Sequence, residues 1–232
     1  MDWRKGELER LLPILEGIGK DLVPLAGKRI LVLCSAAGDV ALWLGERAGS
    51  TRKVIGLELS DELLLISRRR AEERGLAGIC EFRKAERERI PYPEGKFDAL
   101  VSEFILYPTP LPTEIGQREM ARVLKSGGQM VLTDVIATKP VSEEEKKNLA
   151  AVGLDYLCQA TQEDFRSWME EADLVDVAVW DLTPLLQGVW EKRAARDPHP
   201  GHRQGYRLLL EDTELKLGEG IFYIYVRGRK PA

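Results

Sequence analysis

The chain has 232 residues, 44% hydrophobic and 31% charged, with a formal net charge of −4. That length supplies one sizeable domain with a core of its own, and the composition is that of a globular protein in water. The negative balance argues against a general binder of nucleic acid or of a membrane surface, because nothing neutralises phosphates in bulk.

No window of about 18 apolar residues offers a transmembrane helix. The opening "MDWRKGELER" lacks the apolar core of a signal peptide, so the expected location is cytoplasmic. Cys34, Cys80 and Cys158 lie far apart and form no CxxC pair, which argues against a disulfide framework, a structural zinc site or any other metal site. A single asparagine, Asn148, among plentiful Arg and Glu suits a thermophilic source.

In chain order, residues 1–27 read as a helical segment. Leu8, Leu11, Leu12, Leu15 and Ile18 are spaced for one apolar face, and Pro13 kinks or restarts it. A strand over 29–34, a small-residue turn and a helix over about 38–48 follow. "KVIGLEL" is a second short strand, and Ser60 caps a helix that ends near Gly75, with Asp61 and Glu62 in its first turn. Within that helix "SRRR", Ser67 to Arg70, reads as a solvated face. "GICEFRKA" and "FDALVSEF" are strands three and four, "KSGG" is a turn, and "QMVLTDVI" is strand five.

Two helices fall between Val141 and Ala172, the second opened by a Thr161–Asp164 capping box. "LVDVAVWDL" and "GIFYIYVRGRK" are late strands. Residues 183–220 form an insertion, helix-prone at both ends and interrupted by "RDPHPGHRQG". Alternating strands and helices predict an α/β fold, a doubly wound and mainly parallel sheet in one domain over 1–232.

In such a sheet, ligands bind beyond the carboxyl ends of the strands. The turn Cys34, Ser35, Ala36, Ala37, Gly38 is small enough for close approach of a ligand, and the helix after it offers N–H groups to an anion. Twenty residues past Gly38, Glu58 ends strand two, where a carboxylate can accept both ribose hydroxyls of a nucleoside. A buried strand-turn-helix without a ligand is the plainer reading of the turn alone.

In order and spacing, residues 28 to 180 resemble the class I S-adenosylmethionine-dependent methyltransferases, and most nearly their small-molecule branch of quinone and arsenite methyltransferases. The family's acid-x-Gly-x-Gly-x-Gly motif falls on Val32, Cys34, Ala36 and Gly38, so the acid and two glycines are replaced. Its second-strand acid falls on Glu58, followed by Leu59, and the acid that faces adenine falls on Glu86, followed by Arg87. Phe97 and Asp98 and the passage "RVLKSGGQMVLTD" also fit. The resemblance implies a seven-stranded Rossmann-like sheet with an antiparallel last strand, S-adenosylmethionine as cofactor, and a small-molecule acceptor.

It also implies that Glu103, Phe104 and Tyr107, after strand four, face the transferred methyl group. Glu103 contacts the cofactor, acts as a base, or simply caps a helix; Tyr107 is otherwise plain packing. The 183–220 insertion serves as a lid or a homodimer contact. His199 and His202 in it are candidate bases, although "HPGH" reads as a loop that does not put both on one face. Cys158 stands where arsenite methyltransferases carry a metalloid-binding thiol, with a buried Cys as the alternative. The eroded first motif also suits a protein that binds the cofactor without catalysis. A nicotinamide oxidoreductase is disfavoured by the missing GxGxxG.

Overall fold

A computed structural model of the chain describes residues 14–33, 35–49, 53–85, 89–103, 113–154 and 157–232. The chain divides into two compact units. One comprises Met1–Leu132, Arg166–Ala178 and Val226–Ala232; the other comprises Thr133–Phe165 and Val179–Tyr225.

In the first unit, residues 14–21 are helical (α1), and Ile14, Leu15, Ile18 and Leu22 are buried. The predicted Leu8, Leu11, Leu12 and Pro13 lie outside the described residues. The strands β1 (Ile30–Leu33), β2 (Val54–Glu58), β3 (Cys80–Lys84) and β4 (Phe97–Glu103) alternate with α2 (Asp39–Ala48) and α3 (Asp61–Glu73). β1 pairs in parallel with both β2 and β4, and β2 pairs in parallel with β3. All of β1 and β2 is buried, which is why these strands read as unbroken apolar runs. Ser60 caps α3 as predicted, its hydroxyl accepting the Leu63 N–H at 3.3 Å.

After α4 (Thr113–Val123) the chain passes directly into β5 (Leu124–Ala137). The "KSGG" run is therefore strand rather than a free turn. Gly127 adopts φ +72°, its N–H donates to the Lys230 carbonyl at 3.0 Å, and Lys230 N–H returns a bond to Gly128 at 2.9 Å. The chain's last residues supply ladder partners that local sequence does not reveal.

The full strand order is β3-β2-β1-β4-β5-β8-β7, with β7 at Val175–Asp181 and β8 at Ile221–Arg229. Lys230 bonds to Gly128, and Thr138 N–H bonds to the Gly220 carbonyl at 2.8 Å, so β8 runs antiparallel to β5. This is the expected mainly parallel, doubly wound α/β sheet with antiparallel C-terminal strands. One strand was not foreseen: β6 (Cys158–Gln159) pairs with Ile136 and Ala137 of β5. Two residues carry too little pattern to be read as a strand.

The second unit holds α5 (Glu143–Ala151), α7 (Thr183–Arg196) and α8 (Arg203–Leu210), and α8 packs on both of the others. The helix α6 (Gln162–Glu171) begins with the predicted box, Thr161 N–H and Asp164 N–H exchanging bonds with the partner side chains. A second box, Ser142 with Glu145, opens α5. Gly205 lets α8 approach α5 closely, since a Cβ there would lie 2.2 Å from the Asn148 carbonyl oxygen. Among the described residues, no helix is long and apolar enough to cross a membrane.

"HPGH" differs from the expectation of a plain loop. Pro200–His202 is a 3₁₀ turn leading into α8, and the His199 and His202 rings stack with centroids 4.3 Å apart. Residues three apart eclipse in a 3₁₀ turn, so the two rings do share a face. Asp197 organises them. Its carboxylate accepts the His199 N–H at 3.0 Å and the Tyr206 hydroxyl at 2.8 Å, and lies 2.7 Å from His202 Nδ1.

These bonds, the His199 N–H foremost, hold the Asp197 carboxyl down at about 2. A folded-state value below the unfolded one contributes stability that is full above about pH 4 and is lost as pH falls toward the folded value. Thermal melts between pH 5 and 2 are therefore expected to show an acid-dependent loss that Asp197→Asn lacks. Parallel profiles for the two proteins would show that Asp197 does not stabilise this unit.

Candidate functional site

The site lies in the first unit, where β1 and β2 end side by side. Leu33 is in register with Leu57, and Ser35 N–H donates to the Leu57 carbonyl at 2.9 Å, so the pairing runs one step beyond β1. Glu58 is the next residue of β2 and only 8% exposed. Its Oε2 accepts the Ala36 N–H at 2.8 Å, and its Oε1 accepts the Ser60 N–H at 2.8 Å. One carboxylate thus ties the turn after β1 to the turn after β2. Each oxygen has further lone-pair capacity for a hydroxyl.

The turn itself is held from both sides. Gly38 N–H bonds back to the Ser35 carbonyl at 2.7 Å, and Leu42 N–H opens the helical ladder on the Gly38 carbonyl. Ala36 adopts φ +43°, so alanine occupies a left-handed conformation that suits glycine better. Gly38, at φ +89°, serves packing behind the turn as well as conformation. A Cβ there would lie 2.9 Å from the Phe82 ring and 3.1 Å from Ser67 Cβ. Gly56 is constrained in the same way, by Phe82 at 2.6 Å and Ser35 Oγ at 2.8 Å.

Two features fit a polar, partly anionic ligand. Among the described residues, no side-chain cap bond is made at the N-terminus of α2, whose N-cap is Gly38. Ser35 Oγ is buried without a hydrogen-bond partner among the described residues. Together with the Glu58 carboxylate, these groups fit an S-adenosyl cofactor: diol acceptor, donor-rich turn and open helix terminus.

The structure brings Ser35, Ala36, Gly38 and Glu58 together, with Leu59 half-buried just beyond Glu58. Ala85 N–H donates to the Glu58 carbonyl at 2.9 Å, so the chain leaves β3 alongside Glu58. Cys34, Glu86, Arg87, Phe104 and Tyr107 lie outside the described residues. Glu103 closes β4, and its side chain is likewise outside what is described. His199 and His202 belong to the other unit.

Cys158 is buried in β6. Cys80 donates to the Ala41 carbonyl at 3.3 Å, and burial pushes its thiol up to about 11, which keeps it protonated. Among the described residues, no three His, Cys, Asp or Glu side chains gather as metal ligands.

The reading of "SRRR" as a solvated face needs correction. Arg68 and Arg69 are exposed, as read, Arg69 pairing with Glu73, whereas Ser67 is buried and Arg70 is turned partly inward. Arg68 donates twice to the Phe82 carbonyl, at 3.1 and 2.8 Å. Arg70 donates to the Ala37 carbonyl at 2.7 Å and pairs with Asp39, in the first turn of α2. The signal was the spacing: Arg70 lies three residues past the buried Ser67 and next to the buried Ala71, along the inward stripe of α3. Asp39 and Arg70 are thus site residues that sequence reasoning missed.

Backbone strain and crowding here are measurable. A left-handed alanine costs roughly 1–2 kcal/mol, part of which glycine's flexibility gives back. Ala36→Gly is expected to raise the melting temperature by about 1–4 °C. Gly56→Ala is expected to lower it by roughly 3–10 °C through overpacking against Phe82. The opposite order in differential scanning calorimetry would refute this account of the turn.

Known proteins provide the family. A ubiquinone/menaquinone biosynthesis C-methyltransferase UbiE from Pseudomonas putida (strain W619) is 30% identical over 132 residues, 57% of this chain and 50% of that protein. The chain spans about half the length of the curated relatives it matches. Among solved structures, a geranyl diphosphate C-methyltransferase from Streptomyces coelicolor A3(2) superposes with a TM-score of 0.77 at 19% identity, covering 94% of this chain and 78% of that one. That structure contains Mg²⁺, geranyl diphosphate and S-adenosyl-L-homocysteine. The [4+2]-cyclase SpnF superposes with a TM-score of 0.71 at 24% identity, covering 95% of this chain and 81% of that one. These likenesses show the shared fold. The family model described as the ubiE/COQ5 methyltransferase family matches residues 17–149, which include every residue of the Glu58 site, and the chain belongs to that family.

Proposed function

We propose that this chain transfers a methyl group from S-adenosylmethionine to a small-molecule acceptor, a carbon atom of a quinone-type ring being the best candidate. The observation that carries the reading is Glu58. A nearly buried carboxylate at the end of β2 holds two backbone turns and has lone pairs left for a ribose diol. The acceptor class is supported by the likeness to ubiquinone/menaquinone biosynthesis C-methyltransferases. The net charge of −4 favours a small acceptor over nucleic acid.

Bound, the cofactor supplies a methyl group already activated on a sulfonium sulfur. The chain contributes alignment and exclusion of water, which account for much of the acceleration in such a displacement. Glu58 orients the ribose by accepting its hydroxyls. The Ser35–Gly38 turn and the open end of α2 receive the amino-acid end. Held by these residues, the cofactor would give its methyl group in line to the acceptor carbon and leave as S-adenosylhomocysteine. The acceptor then gives up its ring proton to a base.

A second reading, binding without methyl transfer, draws on two observations. Val32, where the family motif has an acid, is buried at 0% exposure, and Ala36 replaces a glycine at positive φ. The [4+2]-cyclase likeness adds that this fold hosts other reactions.

Ligand-dependent melting separates these readings. S-adenosylhomocysteine at about a hundred times its dissociation constant should add roughly 2.7 kcal/mol, a shift of about 5–10 °C. Glu58→Ala strands two backbone N–H groups, so its melting temperature should fall even without ligand. Glu58→Gln keeps one acceptor oxygen and should fold while losing most of the shift. Turnover is then assayed by S-adenosylhomocysteine release with a reduced, demethylated naphthoquinone. A normal shift with no turnover on any quinol would favour the binding-only reading, and no shift at all would refute both.

A further inference from the structure

The Arg70–Asp39 pair has a consequence for ligand recognition that rests on the cofactor reading above. An α-helix N-terminus attracts anions, and one anion in the first turn of α2 is the protein's own. Asp39 lies in the first turn of α2 and is 25% exposed at its side chain. Left alone, that carboxylate competes with a ligand carboxylate for the same positive helix end. Arg70, 16% exposed, reaches across from α3 and pairs with it. The same guanidinium takes the Ala37 carbonyl at 2.7 Å, pinning the last residue before Gly38. The planar fork of arginine suits two acceptors that diverge in this way.

We propose that Arg70 is a positioning residue for the amino-acid end of the cofactor. It neutralises Asp39 and fixes the Ala37 peptide, so that the turn and the α2 terminus present donors rather than negative charge. Glu58 holds the turn at Ala36, and Arg70 holds it one residue later.

A purely structural role would weaken every adenosyl ligand alike, whereas a role at the amino-acid end discriminates among them. Isothermal titration of the full chain with S-adenosylhomocysteine and with 5′-methylthioadenosine, which lacks the amino and carboxylate groups, reads that difference directly. For Arg70→Gln, a loss of about tenfold is expected for S-adenosylhomocysteine and less than threefold for methylthioadenosine. Asp39→Asn in the Arg70→Gln background should restore most of the lost affinity.

Asp39→Asn alone leaves the Arg70 charge uncompensated, and should tighten S-adenosylhomocysteine about threefold without changing methylthioadenosine. This variant also keeps the proposal testable if Arg70→Gln fails to fold. An unchanged ratio of the two affinities in the variants would overturn the proposal while leaving the cofactor reading intact. Wild-type protein that binds neither ligand would overturn the cofactor reading and the proposal with it.

Discussion

The carboxylate of Glu58 is the constraint on which the site depends. A charged group at 8% exposure is costly to hold unless it is hydrogen-bonded, and here each oxygen has a backbone N–H. Those donors belong to two different turns, so the ends of β1 and β2 cannot shift independently. The arrangement also explains how Ala36 tolerates φ +43°. Its N–H is bound to Glu58, and the bond holds a backbone conformation that alanine does not favour by itself.

Behind the turn, Phe82 has a comparable organising part. Its ring leaves no room for a Cβ at Gly38 or Gly56, and its carbonyl is gripped by both nitrogens of the Arg68 fork that face it. Gly38, the one glycine left in this worn motif, and Gly56 of β2 are thus required by the protein's own interior. Close approach of a ligand to the turn depends on the other side, where Ser35 and the uncapped α2 terminus lie. Conformation and packing keep Gly38 in place, while the small side chains at 35–37 govern access.

The second unit uses other devices. Gly205 allows backbone-to-backbone approach of α8 to α5, and Asp197 binds the 3₁₀ turn and the start of α8 into one network. Trp190 is buried and donates to the Tyr223 hydroxyl at 3.0 Å, joining α7 to β8. Residues 183–220, read as helix-prone at both ends and interrupted between, form α7 and α8 joined by the 3₁₀ turn.

Local sequence determined the strand-helix alternation, the Ser60 and Thr161 caps, and Glu58 as the acid ending β2. Each depends on neighbours within a few residues, through burial periodicity or side-chain-to-backbone bonds. The tertiary structure decided what those residues face. Arg70 looks like part of a solvated run until α3 is laid against the β1 turn, 33 residues away. "KSGG" reads as a turn until Lys230 arrives to pair with it. The histidines of "HPGH" read as divergent until Asp197 and the 3₁₀ geometry stack them. In each case the deciding partner is a hydrogen-bonding group or ring supplied by the fold. Composition and periodicity record that a residue is polar or apolar, but not which distant acceptor, donor or ring will complete it.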